Sequence, residues 1–142
     1  MNKAVSTLNR LIKKQEEIYH KYAKNLKLTD TKFWVLYAIC ESEGTLIQNS
    51  FCENWCYSKQ TVNTAVTSLE KEGIISLEFT EGSRKQKDIR LTPMGKEFCD
   101  KNIRPVLKAE EKSLMKLSEI ERQAFLNTIE KLINCLEDEL ID

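Results

Sequence analysis

This sequence of 142 residues is poor in the residues that interrupt helices, with only four glycines and two prolines. Their scarcity favours a mostly helical protein. A long apolar run is also missing, since the longest, Phe33 to Cys40, is far shorter than the about 20 residues that span a bilayer. The basic N-terminus is not followed by an apolar segment, which predicts no signal peptide. We therefore expect a soluble cytoplasmic protein that binds no membrane.

Histidine and closely spaced cysteines are scarce as well. A zinc site needs about four Cys or His ligands at tight spacings, and the chain has one histidine, His20, and no CxxC pair. The cysteine number is odd and the residues are scattered, which argues against a disulfide framework. The chain has no nucleophile motif and no phosphate-binding glycine loop, so we expect no enzyme, no metal and no cofactor. The five cysteines are interpreted as small buried hydrophobes: Cys40, Cys52, Cys56, Cys99 and Cys135.

The chain also lacks an excess of either charge, because 22 basic residues balance 22 acidic ones. The total therefore indicates no partner, and only the local distribution is informative. Residues 1–27 hold seven basic and two acidic side chains. Their apolar residues follow a helical spacing from Leu8 to Leu26, which predicts a helix over residues 3–27. Such a terminal helix needs another helix or another subunit to cover its apolar side.

Start and stop signals divide the middle of the chain. Thr29 is a predicted N-cap, and Gly44 is the predicted residue that ends its helix. A short helix is predicted over Ile47 to Trp55. The next helix begins at the N-cap Ser58 and ends at Gly73. Two short helices separated by a tight turn are the helix-turn-helix arrangement.

The period of the apolar residues changes from 3.6 to 2 after Gly73. Ile75, Leu77 and Phe79 share one predicted strand face, and residues 87–91 alternate again. The polar loop between them contains Gly82, Arg84 and Lys85. The pattern predicts a β-hairpin with a basic tip.

Two more helices are predicted beyond the hairpin. Thr92 and Pro93 open the first, and Pro105 is expected to kink or divide it near Ile103. Residues 118–121 read Ser-Glu-Ile-Glu, a capping box that opens the last helix. The apolar positions of the terminal helices exceed what a monomer of this size could cover. We therefore predict an obligate homodimer.

The helix that starts at Ser58 carries the candidate site. Val62, Ala65, Val66 and Leu69 fall on one side and should pack inward. The other side offers small polar groups that can hydrogen-bond to base edges, and the helix N-terminus can hold a phosphate. Basic side chains of the hairpin would approach the minor groove or the DNA backbone. The predicted contacts to double-stranded DNA are Ser58, Lys59, Gln60, Thr61, Asn63, Thr64, Thr67, Ser68, Arg84, Lys85, Lys87 and Arg90.

A different class stays open, a winged-helix module that binds proteins and no operator. Residues 58–96 hold seven basic and five acidic side chains, so non-specific affinity for DNA should be modest. Most of the excess lies in the hairpin. A steep fall of DNA affinity with salt would favour direct phosphate contacts.

Three motifs in their order resemble the MarR family of bacterial transcription regulators. They are the run from Ser58 to Asn63, the run from Leu69 to Ile75, and the run from Ile89 to Gly95, which contains Leu-Thr-Pro-x-Gly. The resemblance implies a mainly α fold with a small β-hairpin wing. A winged helix-turn-helix over residues 29–96 would be flanked by dimerisation helices over 1–28 and 97–142. It also implies a homodimeric regulator, here expected to be a repressor, on a pseudo-palindromic operator.

Control of DNA release by a small ligand or an oxidant is a tendency of that family. Aromatic residues at Tyr19, Trp34 and Tyr37 are candidate ligand contacts, although they would serve equally well as core. Cys52 and Cys56, four residues apart, are the alternative redox pair, since the first helix has no cysteine. The family's wing often carries Asp-x-Arg. The matching positions here are Ser83 and Lys85, so a less constrained wing is expected.

Overall fold

The computed structural model describes residues 2–142, and the chain divides after Pro105 into two compact units. Within the described residues no helix is long and apolar enough to cross a membrane. The predicted fold class, mainly α with a small β wing in a winged helix-turn-helix, is confirmed. The elements are α1 (Lys3–Asn25), α2 (Asp30–Glu41), β1 (Thr45–Ile47), α3 (Gln48–Asn54), α4 (Lys59–Lys71), β2 (Ile75–Phe79), β3 (Lys87–Leu91), α5 (Pro93–Asn102), α6 (Arg104–Leu114) and α7 (Glu119–Leu140).

Polar side chains begin four of the helices as predicted. Thr29, Ser58, Thr92 and Ser118 each accept a hydrogen bond from a backbone N–H in the first turn of the following helix. Each cap satisfies one of the amide groups that a helix start leaves unpaired. Local sequence therefore determined where these helices begin.

The end of α2 differs from the prediction. The first residue beyond its C-cap is Glu43, with φ of 61°, and Gly44 follows with φ of 112°. The Gly44 amide donates to the Ile39 carbonyl and the Glu43 amide to the Cys40 carbonyl. This double closure is a Schellman motif that begins one residue earlier than expected. The left-handed position is therefore occupied by Glu43 and not by a glycine.

Strand β1 was missed, because the sequence predicted that a helix begins at Ile47. Thr45 to Ile47 instead pair antiparallel with β3, with Leu46 opposite Ile89. Strands β2 and β3 form the predicted hairpin, with Leu77 opposite Ile89. The sheet thus has three strands in the order β1-β3-β2. A strand of three residues is too short to show alternation, and it forms because β3 offers it an unpaired edge.

The core of the first unit lies between α2, α3, α4, the sheet and α5. Its largest fully buried side chains come from every one of these elements, and Phe33, Phe51, Leu69 and Ile89 are examples. Helix α1 joins them through the Tyr22 hydroxyl, which donates to the Asn102 carbonyl at 2.6 Å. The predicted division near Ile103 is confirmed, because α5 ends at Asn102 and Ile103 is its C-cap.

The second unit, residues 106–142, is considered by itself. Its helix α7 begins with the predicted capping box, in which the Ser118 amide donates to Glu121 Oε1 at 2.9 Å. Arg122 donates to the Leu117 carbonyl at 2.6 Å. None of the 22 residues of α7 is buried. The N-terminus of α7 is well capped, but none of its side chains packs into a core.

Candidate nucleic-acid interface

Helix α4 has one buried side and one exposed side. Val62, Ala65, Val66 and Leu69 are at most 5% exposed, which confirms that they pack inward. The helix ends in a Schellman motif, with Gly73 at φ of 77° and the Ile74 amide donating to the Leu69 carbonyl. The buried side chains pack α4 against the core, and the Schellman motif fixes where the helix ends.

The exposed side of α4 contains two kinds of polar residue. Ser58 donates to Thr61 Oγ1 at 2.7 Å, and Thr64 donates to the Gln60 carbonyl at 3.0 Å. Ser68 is half-buried and donates to Glu72 Oε1 at 3.2 Å. These hydroxyl donors are therefore already used by the protein. Such side chains must exchange a partner before they donate to DNA.

Three uncharged candidates on α4 keep their full hydrogen-bonding capacity. Gln60, Asn63 and Thr67 are exposed, and within the described residues their side chains make no hydrogen bond. Glutamine and asparagine can each donate and accept at once, which suits the N6 and N7 atoms of adenine. Of the predicted uncharged residues on α4, these three have side-chain groups that are free to bind a partner.

The wing consists of β2, β3 and the connecting residues 80–86. Thr80 holds together the two ends of the connecting loop. Its hydroxyl donates to Asp88 Oδ1 at 2.7 Å, and its amide donates to the Gln86 carbonyl. Ser83 Oγ accepts hydrogen bonds from the amides of Lys85 and Gln86, at 3.3 and 3.0 Å. The sequence suggested a less constrained wing at this position. Ser83 holds the backbone of the loop with its own hydroxyl, and the less constrained wing stays a prediction.

The basic residues of the wing do not lie together. Lys87 shares a sheet face with the buried Ile89, whereas Arg90 projects from the opposite face because side chains alternate along a strand. Arg90 Nη1 is 3.9 Å from Glu78 Oε2. Arg84 is exposed in the loop. The structure therefore separates Arg90 from Lys85 and Lys87.

Lysines of the wing meet α3 and α4 in a cleft of about 240 Å³, which we call the lysine cleft. The sequence predicted four of its seven residues, and it missed the contribution of α3. That contribution depends on how α3 packs beside the wing, which the sequence does not show. The lining residues are Gln48, Asn49, Cys52, Lys59, Asn63, Lys85 and Lys87.

Phe79 departs from the predicted half-buried face of β2. It is 60% exposed, although it shares a face with the buried Ile75. Lys87 Nζ lies 5.9 Å from the centre of its ring, a cation–π distance. Strand β2 extends beyond the core, so its last apolar residue, Phe79, lies at the surface beside Lys87.

The candidate ligand contacts Tyr19, Trp34 and Tyr37 do lie together. The Trp34 ring centre is 4.9 Å from that of Tyr19 and 5.1 Å from that of Tyr37. The ring of Trp55, in the α3–α4 turn, is tilted against the same indole with ring centres 5.1 Å apart. Tyr37 is 8% exposed, while Tyr19 and Trp34 are half-buried. These rings pack mainly on one another, which is the arrangement of a core extended to the surface.

Cys52 and Cys56 have different surroundings. Cys52 is 7% exposed and Cys56 is exposed in the turn before α4. Burial raises the pKa of the Cys52 thiol, and the nearby Lys59 opposes that shift only in part. A raised pKa keeps the sulfur protonated and lowers its reactivity. Among the described residues no group of three or more His, Cys, Asp or Glu side chains could hold a metal ion.

The fold and this interface define a winged helix-turn-helix protein. A family model described as "MarR family" matches residues 26–86, which include α2, α3, α4 and most of the wing. The central part of the chain, residues 26–86, is therefore similar to the MarR family. A comparison with curated protein sequences finds no match.

Solved structures share this fold over nearly the whole chain. A MarR family regulator from Neisseria meningitidis is 22% identical, with a TM-score of 0.81, covering 99% of this chain and 97% of that one. MepR of S. aureus, solved as a DNA complex, is 20% identical, with a TM-score of 0.70 and coverage of 92% and 96%. The organohalide-sensing regulator RdhR, solved with 2,4-dichlorophenol, is 15% identical, with a TM-score of 0.67 and coverage of 94% and 81%. At these identities the likeness shows the fold alone.

Proposed function

We propose that the protein is a homodimeric repressor that binds a pseudo-palindromic operator in the cytoplasm through α4 and the wing. One observation carries the proposal. Gln60, Asn63 and Thr67 form an exposed set on α4 whose hydrogen-bonding groups are unused within the described residues. Asn63 of this set lines one cleft with Lys59, Lys85 and Lys87, which supply positive charge. Groups that read bases and cations that hold phosphates are the two components of specific DNA binding.

The roles divide between these components. The α4 groups would contact base edges in the major groove, and the lysines would hold the backbone on either side. Arg84, at the exposed loop, would reach the minor groove. Ser58, Thr61, Thr64, Ser68 and Arg90 remain candidate contacts that would first give up a partner within the protein.

Dimerisation is the second part of the proposal. The regions 1–28 and 97–142 would form the dimer, and 29–96 would form the DNA-binding region. Exposed apolar residues support this assignment: Leu11 and Ile18 of α1 are each 61% exposed, and Phe125 and Leu136 of α7 are 54% and 55% exposed. Apolar surface of this kind is typical of an interface between subunits.

Selection of bound sequences from random double-stranded DNA tests the proposal. We expect one enriched motif with two inverted half-sites about one helical turn apart. Gln60→Ala with Asn63→Ala should lower affinity for that motif by about 1 to 3 kcal/mol for each bidentate hydrogen-bonded pair that is removed. Enrichment without a motif, together with capture of a defined protein, would instead support the protein-interaction module.

Release by a small ligand is the third part. The half-buried Tyr19 and Trp34 would contact an aromatic effector. RdhR, which shares the fold, was solved with 2,4-dichlorophenol. We expect phenolic compounds to quench the indole fluorescence of the protein and to raise the dissociation constant for DNA. Quenching that survives Trp34→Phe undiminished would contradict this site.

A further inference from the structure

Two cysteines meet in the core of the first unit. Cys40 lies in the last turn of α2 and Cys99 lies in α5, and their side chains are 5% and 0% exposed. A hydrogen bond joins the two, in which the Cys99 thiol donates to the Cys40 sulfur. The residues are far apart in the sequence, so the packing of α5 beside α2 brings the two sulfur atoms together.

The remaining cysteines differ from this pair. Cys56 and Cys135 are exposed, so the interpretation of every cysteine as a buried hydrophobe is wrong for these two. Cys52 is buried, but no cysteine is among the groups that shift the pKa of its thiol. Among the described residues, Cys40 and Cys99 are therefore the pair of thiols that are buried against each other.

The surroundings of the pair make the two thiols unequal. The hydrogen bond from Cys99 lowers the pKa of the Cys40 thiol, burial opposes that shift, and the positive charge of Arg104 adds to the lowering. Asp100, which accepts from Arg104 Nε at 2.7 Å, weakens the effect of the arginine. The same hydrogen bond, together with burial, raises the pKa of the Cys99 thiol. Cys40 is thus the better nucleophile, and Cys99 keeps its proton.

We propose that Cys40 and Cys99 form a dithiol that hydrogen peroxide oxidises to a disulfide between α2 and α5. Peroxide is nearly as small as water, so the remaining exposure of Cys40 and brief opening of the end of α2 give it access to the sulfur. The chemistry needs no DNA, because neither residue lies in α4 or the wing.

The oxidation proceeds in two steps. The Cys40 thiolate attacks one oxygen of the peroxide, which breaks the O–O bond, forms a sulfenic acid and releases hydroxide. The hydroxide takes up the proton that the Cys40 thiol lost and becomes water. The Cys99 sulfur then attacks the Cys40 sulfur, and the sulfenic oxygen leaves as water with the Cys99 proton. Two thiols are oxidised to one disulfide, and one peroxide is reduced to two water molecules.

The disulfide stabilises the first unit. The cross-link closes a loop that contains α3, α4 and the wing, which lowers the conformational entropy of the unfolded chain. Because the sulfurs are in contact before they react, a bond of about 2.05 Å forms by a short approach of the two side chains. Helix α4 and the wing keep their places. The expected result is a more stable protein with unchanged DNA affinity, in contrast to a redox switch that releases DNA.

The experiment uses the full chain as the variant Cys56→Ser, Cys135→Ser, which removes the two exposed thiols. The protein is treated with hydrogen peroxide, unfolded, alkylated with N-ethylmaleimide and digested. Mass spectrometry should find one alkylated cysteine, Cys52, and a linked pair of peptides that contain Cys40 and Cys99. The melting temperature should rise by about 5 to 10 °C, at equal protein concentration, and dithiothreitol should reverse the rise.

Substitutions of single buried cysteines are the matched controls. In the same background, Cys40→Ala and Cys99→Ala should each abolish the linked peptides and the rise in melting temperature. Cys52→Ala also removes a buried thiol, but it should retain both results. If Cys99→Ala does not fold, Cys40→Ala tests the same bond at a side chain that is slightly exposed.

Several results would overturn the inference. They are unreacted thiols at Cys40 and Cys99 in excess peroxide, a disulfide that involves Cys52, and oxidation of Cys40 to a sulfinic acid with no disulfide. A melting temperature that falls when the disulfide forms would overturn the stabilising role. Peptide mapping and melting use no DNA, so these results are independent of the proposed function.

Discussion

The two units of the chain use apolar residues in opposite ways. In the first, side chains such as Phe33, Leu36 and Val66 are fully buried and form a core. In residues 106–142, Val106 is the one buried residue, and the apolar residues of α7 are exposed apart from the half-buried Ile129. Both units have well-formed helix starts, so capping does not distinguish them. The difference teaches that local signals make helices in both units, while only the first has a core to stabilise them.

The largest expected effect tests whether the second unit depends on another subunit. Leu132→Asp with Leu136→Asp places two charges on the exposed apolar side of α7. If that side is the dimer interface, each charge would be buried without a partner, at a cost of several kcal/mol. We expect the dimer dissociation constant to rise at least about 1000-fold, measured by sedimentation.

Asn134→Asp is the matched control, because it adds a charge to the same helix on its polar side. It should leave the dimer intact. A double variant that still sediments as a dimer would remove the second unit from the proposed interface.

A substitution in the core of the first unit tests how much its buried side chains stabilise the fold. Phe33 is fully buried, and its ring contacts those of Tyr22 and Trp34. Phe33→Ala should lower the free energy of unfolding by about 3 to 5 kcal/mol, because apolar burial is reduced and a cavity is left behind. Chemical denaturation measures it. Phe125→Ala, at a side chain 54% exposed, should cost the dimer more than it costs the winged unit.

Two glycines of the first unit differ in the space around them. A Cβ at Gly95 would overlap the Ile74 carbonyl oxygen, whereas at Gly82 nothing lies within 4 Å. Gly95→Ala should therefore cost about 3 kcal/mol, because α5 must move away from the strand start. Gly82→Ala should cost about 1 to 2 kcal/mol, from its φ of 78° alone. Equal melting temperatures for the two variants would contradict this.

The helix caps should behave alike in the two units. Ser58→Ala and Ser118→Ala each remove an oxygen that accepts a first-turn amide. We expect a loss of about 1 kcal/mol in each case. Thermal unfolding of the two variants, followed by circular dichroism, gives the values. A cost several times larger at Ser118 would mean that its hydroxyl has a role beyond capping.

The smallest effect concerns an ion pair of the first unit. A hydrogen bond from Lys32 lowers the pKa of Glu72, with a further contribution from Ser68. A carboxyl whose folded pKa is depressed stabilises the fold above its unfolded pKa, near 4.5, and that stability is lost as pH falls through the folded value. Because Glu72 is half-exposed, the contribution should stay below about 1 kcal/mol. Glu72→Gln should flatten stability against pH below that point, as seen in denaturation at several pH values.

Patterns within single elements predicted much of this molecule. The inward face of α4, its bounds at Ser58 and Gly73, the hairpin and the division near Ile103 all follow from spacing, caps and breakers. These features depend on residues close in sequence. The predicted candidates Lys59, Asn63, Lys85 and Lys87 also share one cleft.

Features that depend on distant partners were missed. Strand β1 exists because the edge of β3 is free, and no pattern in three residues reveals that. The part that Gln48 and Asn49 have in the lysine cleft depends on how α3 packs beside the wing. Phe79 is exposed because the core ends before the strand does.

The amino-acid sequence by itself determined the order of helices and strands, their starts and stops, and which residue types face outward on α4. These follow from backbone geometry and side-chain chemistry within a few residues. Only the tertiary structure decided that Lys87 joins Lys59 in one cleft while Arg90 faces away beside Glu78. That difference depends on which face of the sheet lies against the helices, and packing between elements far apart in the chain sets it.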